Sequence, residues 1–141
     1  MGTEWTAAAR DRLRGSGQRI GAARATVIDY LDAQSCCLGA QEIHEALRAR
    51  VGLASVYRVL DALFEQGLVQ RVDVGDGVAR FEPVRDGLGH HHHFVCDGCG
   101  KVEAFEDPRL ELAISAVEER TGYDVVAHDV VLRGACLDCR V

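Results

Sequence analysis

Apolar side chains recur at helical spacing over the first 67 residues of the chain. Spacings of three and four residues predict four helices, and Gly67 stands where the residue after a helix end is expected. In the fourth predicted helix, the apolar positions Val56, Leu60, Leu63 and Phe64 are expected to face the protein interior. The positions that mark the four helices are Trp5, Ala8, Ala9 and Leu13, then Ile20, Val27, Ile28 and Leu31, then Ile43, Leu47 and Val51, then Val56, Leu60, Leu63 and Phe64.

After Gly67 the apolar period changes from helical to alternating. Residues 68–74 and 78–81 alternate on either side of Gly75-Asp76-Gly77, which predicts a β-hairpin. Helices followed by a two-stranded wing indicate a winged helix-turn-helix, expected over residues 1–82. Residues 83–89 contain one proline and two glycines and are predicted to form a hinge.

A second, smaller unit is predicted over residues 90–141. Short strands are expected around a cysteine turn, followed by a helix over 109–121 and a valine-rich strand over 123–132 that leads to a second cysteine turn. The predicted fold class is therefore α+β, with a winged helix-turn-helix domain joined by a hinge to a small α/β domain.

Charge is distributed unevenly along the 141 residues. The formal net charge of −6 argues against a nucleic-acid partner when it is taken as a whole. Residues 85–141 carry −5 of it, however, whereas residues 1–24 carry +3, so positive charge is concentrated at the N-terminal end. No apolar stretch approaches the roughly 20 residues of a membrane span, and no export signal is visible. The sequence thus predicts a cytoplasmic protein without a membrane partner.

Four cysteines form two matched Cys-x-x-Cys pairs, with 36 residues between the pairs. Two such turns supply the four soft ligands of a tetrahedral zinc site. The alternatives are a redox dithiol or unrelated thiols, but a thioredoxin-like motif starts a helix within a βαβ unit, which neither pair fits. The sequence therefore predicts a structural zinc ion bound by Cys96, Cys99, Cys136 and Cys139.

Four consecutive histidines directly precede the first cysteine pair. In an extended strand, side chains alternate between faces, so His90 and His92 would point one way and His91 and His93 the other. One strand could then supply two different metal sites; a solvated loop is the alternative. Candidates for the remaining ligands are Glu82, Cys36 or Cys37, Glu111 and His128.

The start of the fourth helix leaves polar side chains opposite its apolar face. Tyr57 and Arg58 suit contacts to phosphate or base edges, and a recognition helix presents its N-terminal residues to the major groove. Ser55 lies on the same side of the helix. The alternative is that these are ordinary surface residues.

Three segments together resemble the ferric uptake regulator (Fur) family of bacterial metal-responsive repressors. They are Gly-Leu-Ala-Ser-Val-Tyr-Arg-Val-Leu at 52–60, His-His-His-His-Phe-Val-Cys-Asp-Gly-Cys-Gly-Lys at 90–101 and Cys-Leu-Asp-Cys at 136–139. The resemblance covers about Leu13 to Cys139. It implies that the C-terminal domain dimerises, that Arg19 reaches the DNA minor groove, and that the four cysteines bind structural zinc. It also implies a site within the dimerisation domain formed by His90, His92, Glu111 and His128.

The resemblance further implies a regulatory site at the hinge, which would take Glu82, His91 and His93. In iron-sensing members the loop between the second and third helices adds a histidine. Here Cys37 occupies that position, and the adjacent Cys36 is an alternative ligand. One thiolate, one carboxylate and two imidazoles favour zinc, with iron as the alternative.

These expectations describe a homodimeric, zinc-dependent repressor that binds a palindromic double-stranded DNA operator and controls metal-uptake genes. No catalysis and no small-molecule substrate are implied. An iron-responsive or peroxide-responsive repressor of the same family is the nearest alternative. A zinc-dependent hydrolase is a distant one, because no His-Glu-x-x-His occurs and ligands are numerous enough to close every site.

Overall fold

The computed structural model describes residues 3–85 and 90–140. The chain divides into two compact units, Met1–Leu88 and Gly89–Val141. Residues 86–89 of the predicted hinge lie outside the described residues, and the predicted domain boundaries stay a prediction. Among the described residues, no helix is both long and apolar enough to cross a membrane. The fold class is α+β, as predicted.

The first unit is built on a continuous hydrophobic core that its helices share. Seventeen buried side chains form this core, among them Leu13, Ile28, Leu60 and Leu63, each at most 1% exposed. The helical spacing of these residues turns one apolar face of every helix toward the others. The elements of this unit are α1 (Glu4–Gly15), α2 (Ala22–Asp32), β1 (Leu38–Gly39), α3 (Ala40–Leu47), α4 (Leu53–Glu65), β2 (Val69–Val72) and β3 (Arg80–Pro83).

The predicted hairpin is part of a three-stranded antiparallel sheet in the order β1-β3-β2. Its strands β2 and β3 pair symmetrically about Asp76, at the centre of the Gly-Asp-Gly turn. The third strand, β1, is two residues long and was not expected from the sequence. It pairs Leu38 with Phe81 and Gly39 with Arg80, so the strand that precedes α3 is attached to the wing.

Helix α4 ends close to Gly67, whose φ of +69° is the left-handed conformation predicted for the residue after a helix. Phe64 was predicted to face the interior, and that prediction was wrong. Its side chain is 51% exposed, and its ring meets Phe81 edge-on at a centroid distance of 6.5 Å. The buried stripe includes Val59 and Leu63, and one helical step of about 100° beyond Leu63 places Phe64 outside it.

The second unit has a three-stranded sheet and one helix within its described residues. Strand β4 lies at the centre, antiparallel to β5 and parallel to β6. The side chain of Asp107 caps the helix by accepting hydrogen bonds from the amides of Arg109 and Leu110, and Gly122 ends it with a φ of +75°. The elements are β4 (His92–Cys96), β5 (Val102–Phe105), α5 (Pro108–Thr121) and β6 (Val131–Gly134).

The valine-rich segment after α5 forms a shorter strand than the sequence suggests. A strand was predicted over 123–132, but residues 123–130 have no regular structure and β6 begins at Val131. Val131 pairs with His93, near the start of β4, so the preceding residues have no described strand to pair with. High β propensity does not form a strand without a partner.

Apolar burial in the second unit is sparse. The buried hydrophobic residues of its described part are Val95 and Cys96, and α5 has no buried residue. Leu112 is 71% exposed and Val117 46%. A helix with an exposed apolar surface of this kind is typical of an element that packs against another chain.

Candidate metal centres

The two cysteine pairs meet at one end of the second sheet. Because β4 and β6 are parallel neighbours, with Cys96 level with Gly134, the turns that follow the two strands lie side by side. One sulfur from each of the four cysteines lies within 4.8 Å of the others, and Cys99 Sγ is 3.9 Å from Cys136 Sγ. Zinc–sulfur bonds of about 2.3 Å in a tetrahedron require sulfurs about 3.8 Å apart. The four thiols therefore fit a zinc ion.

Backbone amides in these turns favour negative charge on sulfur. The amide of Cys136 donates to Cys96 Sγ at 3.3 Å, and together with the amide of Cys99 it lowers the pKa of Cys96 to about 6. Hydrogen bonds with the neighbouring thiols raise the pKa of Cys139 to about 12. The cluster thus forms a first thiolate readily and opposes further ones, and a bound divalent cation would offset that mutual repulsion.

Gly98 is required by close packing between the two cysteine turns. A β-carbon at this position would lie 3.1 Å from both Cβ and Sγ of Cys139 and 3.6 Å from Cys96 Sγ. Contacts as short as 3.1 Å force a neighbouring atom to move, and here the neighbour is a sulfur of the cluster. The absence of a side chain at Gly98 therefore allows the two cysteine turns to pack closely against each other.

The four histidines are arranged in alternating pairs, as an extended strand requires. The rings of His90 and His92 lie 4.4 Å apart between centroids, and those of His91 and His93 lie 5.0 Å apart. His90 and His91 directly precede β4 and His92 and His93 begin it, and each alternating pair lies on one side of this segment. The run therefore offers imidazoles in two directions.

One of these pairs joins Glu111 and His128 in a compact cluster. Glu111 accepts from His92 Nε2 at 2.5 Å and from His128 Nε2 at 2.8 Å, and His128 Nε2 is 3.1 Å from His90 Nε2. The hydrogen bond from His92 lowers the pKa of Glu111 against the opposing effect of burial. A ligand atom from each residue lies within 4.8 Å of the others. Three imidazoles and one carboxylate fit Zn²⁺ and similar divalent ions.

The backbone also orients His92, which is 1% exposed. The amide of Val130 donates to His92 Nδ1 at 3.2 Å, so in a neutral ring the hydrogen resides on Nε2 and is donated to Glu111. Ligation through Nε2 would require the other tautomer and the loss of the bond from Val130. This cluster is thus held together by hydrogen bonds that compete with metal binding.

In the first unit, Cys37 directly precedes β1, and Glu82 lies on the neighbouring strand β3. Continuing the β1–β3 register by one residue places Cys37 level with Glu82, and both are buried. The hydrogen bond with Cys36 raises the pKa of Cys37, and burial and the charge of Glu82 raise it further. Gln70 donates to Glu82 Oε1 at 2.6 Å. This partner was missed from the sequence, although a hairpin symmetric about the Gly-Asp-Gly turn would have paired the two residues.

The predicted regulatory ligands are divided between the two units. Cys37 and Glu82 belong to the first, and His91 and His93 to the second. Each pair is brought together within its own unit, and the set of four stays a prediction.

The predicted DNA-contacting residues lie on the exposed side of the first unit. Tyr57 is 47% exposed and Arg58 is exposed near the N-terminal end of α4, where the Arg58 guanidinium donates to Ser55 Oγ at 3.1 Å. Arg19 is exposed between α1 and α2, and its carbonyl accepts a hydrogen bond from Arg24 at 2.7 Å. These positions are compatible with DNA contact, which stays a prediction for each residue.

Comparison with known proteins places this architecture in one family. Residues 15–133 match the family model of the ferric uptake regulator family. A ferric uptake regulation protein of Neisseria meningitidis serogroup A is 31% identical over 133 residues, covering 92% of this chain and 91% of that protein. The peroxide operon regulator of Bacillus subtilis is 31% identical over 134 residues, covering 93% and 90%.

A solved structure has the same fold over nearly the whole chain. The Helicobacter pylori ferric uptake regulator Fur, whose structure is described as revealing three functional metal binding sites, superposes with a TM-score of 0.80. It is 26% identical, and the match covers 95% of this chain and 93% of that one. The Neisseria ferric uptake regulation protein and the Bacillus peroxide operon regulator are each 31% identical to this chain, so identity to these two proteins does not distinguish the signal. The chain belongs to the ferric uptake regulator family, whose members are metal-responsive transcriptional regulators that bind DNA as dimers.

Proposed function

We propose that this protein is a DNA-binding repressor that uses zinc as its corepressor to control metal-uptake genes. The observation that supports zinc is the buried thiol of Cys37 level with the carboxylate of Glu82. A thiolate, a carboxylate and two imidazoles form a closed tetrahedral set, which suits Zn²⁺, whereas thiolate ligation disfavours hard ions such as Mn²⁺.

In this proposal, the regulatory ion binds Cys37 and Glu82 of the first unit together with His91 and His93 of the second. An ion held by ligands from both units stabilises the arrangement that it binds best, and it shifts the population toward that arrangement. Repression follows if this arrangement presents both recognition helices of a homodimer to successive major-groove faces of a palindromic operator.

The exposed apolar surface of the second unit supports its role as the dimerisation domain. Leu112 and Val117 expose large apolar side chains on α5, and Phe94 does so on β4. A second copy of the chain would bury such surface, since most soluble oligomers are symmetric homo-oligomers.

We assign DNA contact to Ser55, Tyr57 and Arg58 in the major groove and to Arg19 beside it. The Arg58 guanidinium is already oriented by Ser55, which supports a defined contact. Loss of a bidentate base contact costs about 1–3 kcal/mol, so Arg58→Ala should weaken operator binding by that amount and leave the zinc content unchanged. Arg120→Ala, an exposed arginine of α5, is the matched control. Equal operator affinity of both variants would contradict the assignment.

The two other centres have supporting roles in this proposal. Cys96, Cys99, Cys136 and Cys139 hold a structural zinc ion, and His90, His92, Glu111 and His128 form a third site that adjusts stability. In the third site a metal ion must replace existing hydrogen bonds. We therefore expect His128→Ala to lower the melting temperature of the second unit while operator binding is retained. Loss of operator binding by a folded, dimeric variant would instead assign the switch to this site.

The zinc assignment is tested by metal titration of operator binding. Protein that retains its structural zinc but is stripped at the regulatory site is titrated with buffered Zn²⁺ and, separately, with Fe²⁺ under anaerobic conditions. We expect zinc to restore operator binding in the wild type and to fail in Cys37→Ser. A normal zinc response in Cys37→Ser would exclude Cys37 as an essential ligand.

Iron is the second candidate corepressor. The similarity to the Neisseria ferric uptake regulation protein favours it, as do Glu82, His91 and His93, which match the iron-sensing pattern. Activation by iron without a response to zinc would overturn the zinc assignment. The similarity to the Bacillus peroxide operon regulator makes peroxide sensitivity of the iron-loaded protein the corresponding third measurement.

A further inference from the structure

Two thiols, rather than one, meet beside Glu82 in the first unit. The backbone bends at Ser35 and Cys36 before β1 begins at Leu38. In a regular strand, adjacent side chains point to opposite faces, but this bend brings Cys36 Sγ to 3.8 Å from Cys37 Sγ. A carboxylate oxygen of Glu82 lies within 4.8 Å of both sulfurs.

The separation of the two sulfurs is that of ligands to a common ion. A disulfide would place them about 2.05 Å apart. Zinc–sulfur bonds of about 2.3 Å in a tetrahedron place them about 3.8 Å apart. The four-cysteine centre of the same molecule offers an internal comparison, because Cys99 Sγ and Cys136 Sγ lie 3.9 Å apart there. The adjacent pair therefore has the spacing of the structural zinc site.

We infer that Cys36 and Cys37 bind one metal ion together, so that the regulatory site contains two thiolates. This inference rests on the proposed function only in placing that ion at the regulatory site. The two cysteines are then joint ligands instead of alternatives. With two sulfurs bound, a tetrahedral ion needs two further ligands, and one of Glu82, His91 and His93 is left as a hydrogen-bonding neighbour.

Because this group is buried, two thiolates could form here only with a compensating cation beside them. Cys37 is 4% exposed and Glu82 is 4% exposed. Two thiolates beside a buried carboxylate would repel one another, and a divalent cation offsets that charge. Thiolate ligands select soft or borderline ions, so two of them shift preference from Mn²⁺ and Fe²⁺ toward Zn²⁺ more than one does.

Cobalt(II) reports the number of sulfur ligands directly. It replaces zinc in tetrahedral sites, and each thiolate adds sulfur-to-cobalt charge-transfer absorption in the near ultraviolet. Full-length protein that retains zinc at its four-cysteine centre is saturated with Co²⁺ after the other sites are stripped. Co²⁺ at the His90, His92, Glu111 and His128 cluster adds no such absorption, because that cluster contains no sulfur.

The variants are Cys36→Ser, Cys37→Ser and the double variant, with Ser35→Ala as the matched control in the same bend. We expect each single variant to keep about half of the charge-transfer absorption per chain, the double variant to lose it, and the control to keep all of it. Each single variant should also bind Zn²⁺ more weakly. Circular dichroism checks that each variant is folded, and Cys36→Ala replaces Cys36→Ser if the latter is not.

The outcomes separate this inference from the proposed function. Full absorption in Cys36→Ser with none in Cys37→Ser means a single-sulfur site and overturns the inference, while zinc-dependent operator binding would still stand. Two-sulfur absorption in a protein whose operator binding ignores zinc supports the inference and overturns the proposed corepressor. Absence of charge-transfer absorption in the wild type overturns the inference.

Discussion

The two units of this molecule differ in how many hydrophobic side chains each one buries. In the first, seventeen buried hydrophobic side chains form one core. In the described part of the second, Val95 and Cys96 are the buried hydrophobic residues, whereas ten potential metal ligands gather within about fifty residues. From this difference we expect the first unit to fold by apolar burial and the second to depend on metal binding and a partner chain.

Removal of one proposed zinc ligand tests this contrast most strongly. Structural zinc contributes roughly 10 kcal/mol or more in small domains that have no preformed site. We expect Cys136→Ser to lose the structural zinc and, with it, the fold of the second unit and the dimer, while α2 and α4 stay protected. Hydrogen exchange followed by mass spectrometry measures protection in each unit, with Ser35→Ala as a control outside all proposed metal sites. Equal loss of protection in α2 and α4 would mean that the two units are not independent.

The reverse experiment weakens the hydrophobic core and leaves the metal clusters intact. Leu60 is 1% exposed, and a buried Leu→Ala change costs about 2–5 kcal/mol. Leu60→Ala should therefore lower the free energy of unfolding of the first unit by that amount without changing the zinc content. Trp5, the only tryptophan, lies in this core and reports its unfolding in urea by fluorescence. Leu112→Ala, at a position 71% exposed, should leave this transition unchanged.

A smaller change tests how tightly the cysteine turns are packed. The added methyl group of Gly98→Ala would meet Cys139 at 3.1 Å, and overpacking of this kind costs about 1–3 kcal/mol. We expect weaker zinc retention, measured by competition with a chelator. Gly134→Ala is the control, since a β-carbon there meets nothing within 4 Å. If both variants retained zinc like the wild type, close packing at Gly98 would not matter for the site.

The smallest expected effect on stability concerns the ion pair between Arg85 and Asp32 in the first unit. Asp32 accepts hydrogen bonds from Thr3 and Arg85, each at 2.7 Å. Burial opposes ionisation of Asp32, but these bonds outweigh it and lower its pKa below 3.8. The stabilisation is therefore complete well above pH 3.8 and is lost as the pH falls through the lowered value.

We expect Asp32→Asn to cost about 1 kcal/mol near pH 6, with the difference from the wild type shrinking below pH 3.8. Urea unfolding followed by Trp5 fluorescence at several pH values measures this. A difference that is the same at every pH would show that the charge of Asp32 is irrelevant.

Local patterns predicted the elements better than they predicted tertiary contacts. The helices, the wing turn and the end of α4 at Gly67 follow from spacing and turn chemistry. Strand β1 could not be foreseen, because two residues carry no periodicity and their partner, β3, lies about forty residues later. The pairing of Asp32 with Arg85 spans 53 residues and left no local signal either.

The candidate sites were predictable to different degrees for the same reason. The Cys-x-x-Cys spacing marks its chemistry locally, and strand alternation sorted the histidines into two pairs. The approach of Cys36 to Cys37 was not predictable, because it depends on a bend that alternation does not describe. To predict the contact between Gln70 and Glu82, one would need to know the register of the hairpin as well as its existence.

The parallel pairing of β4 with β6 also has a consequence for how the protein matures. These strands lie 38 positions apart in sequence, so their first contact must close a long loop before any pairing stabilises it. During synthesis, the first unit is complete long before Cys136 leaves the ribosome, and domains fold as units in that order. We therefore expect newly made chains to have a folded first unit and a second unit that stays unfolded until zinc binds. Zinc supply would then limit the rate at which working dimers accumulate, separately from any regulatory binding.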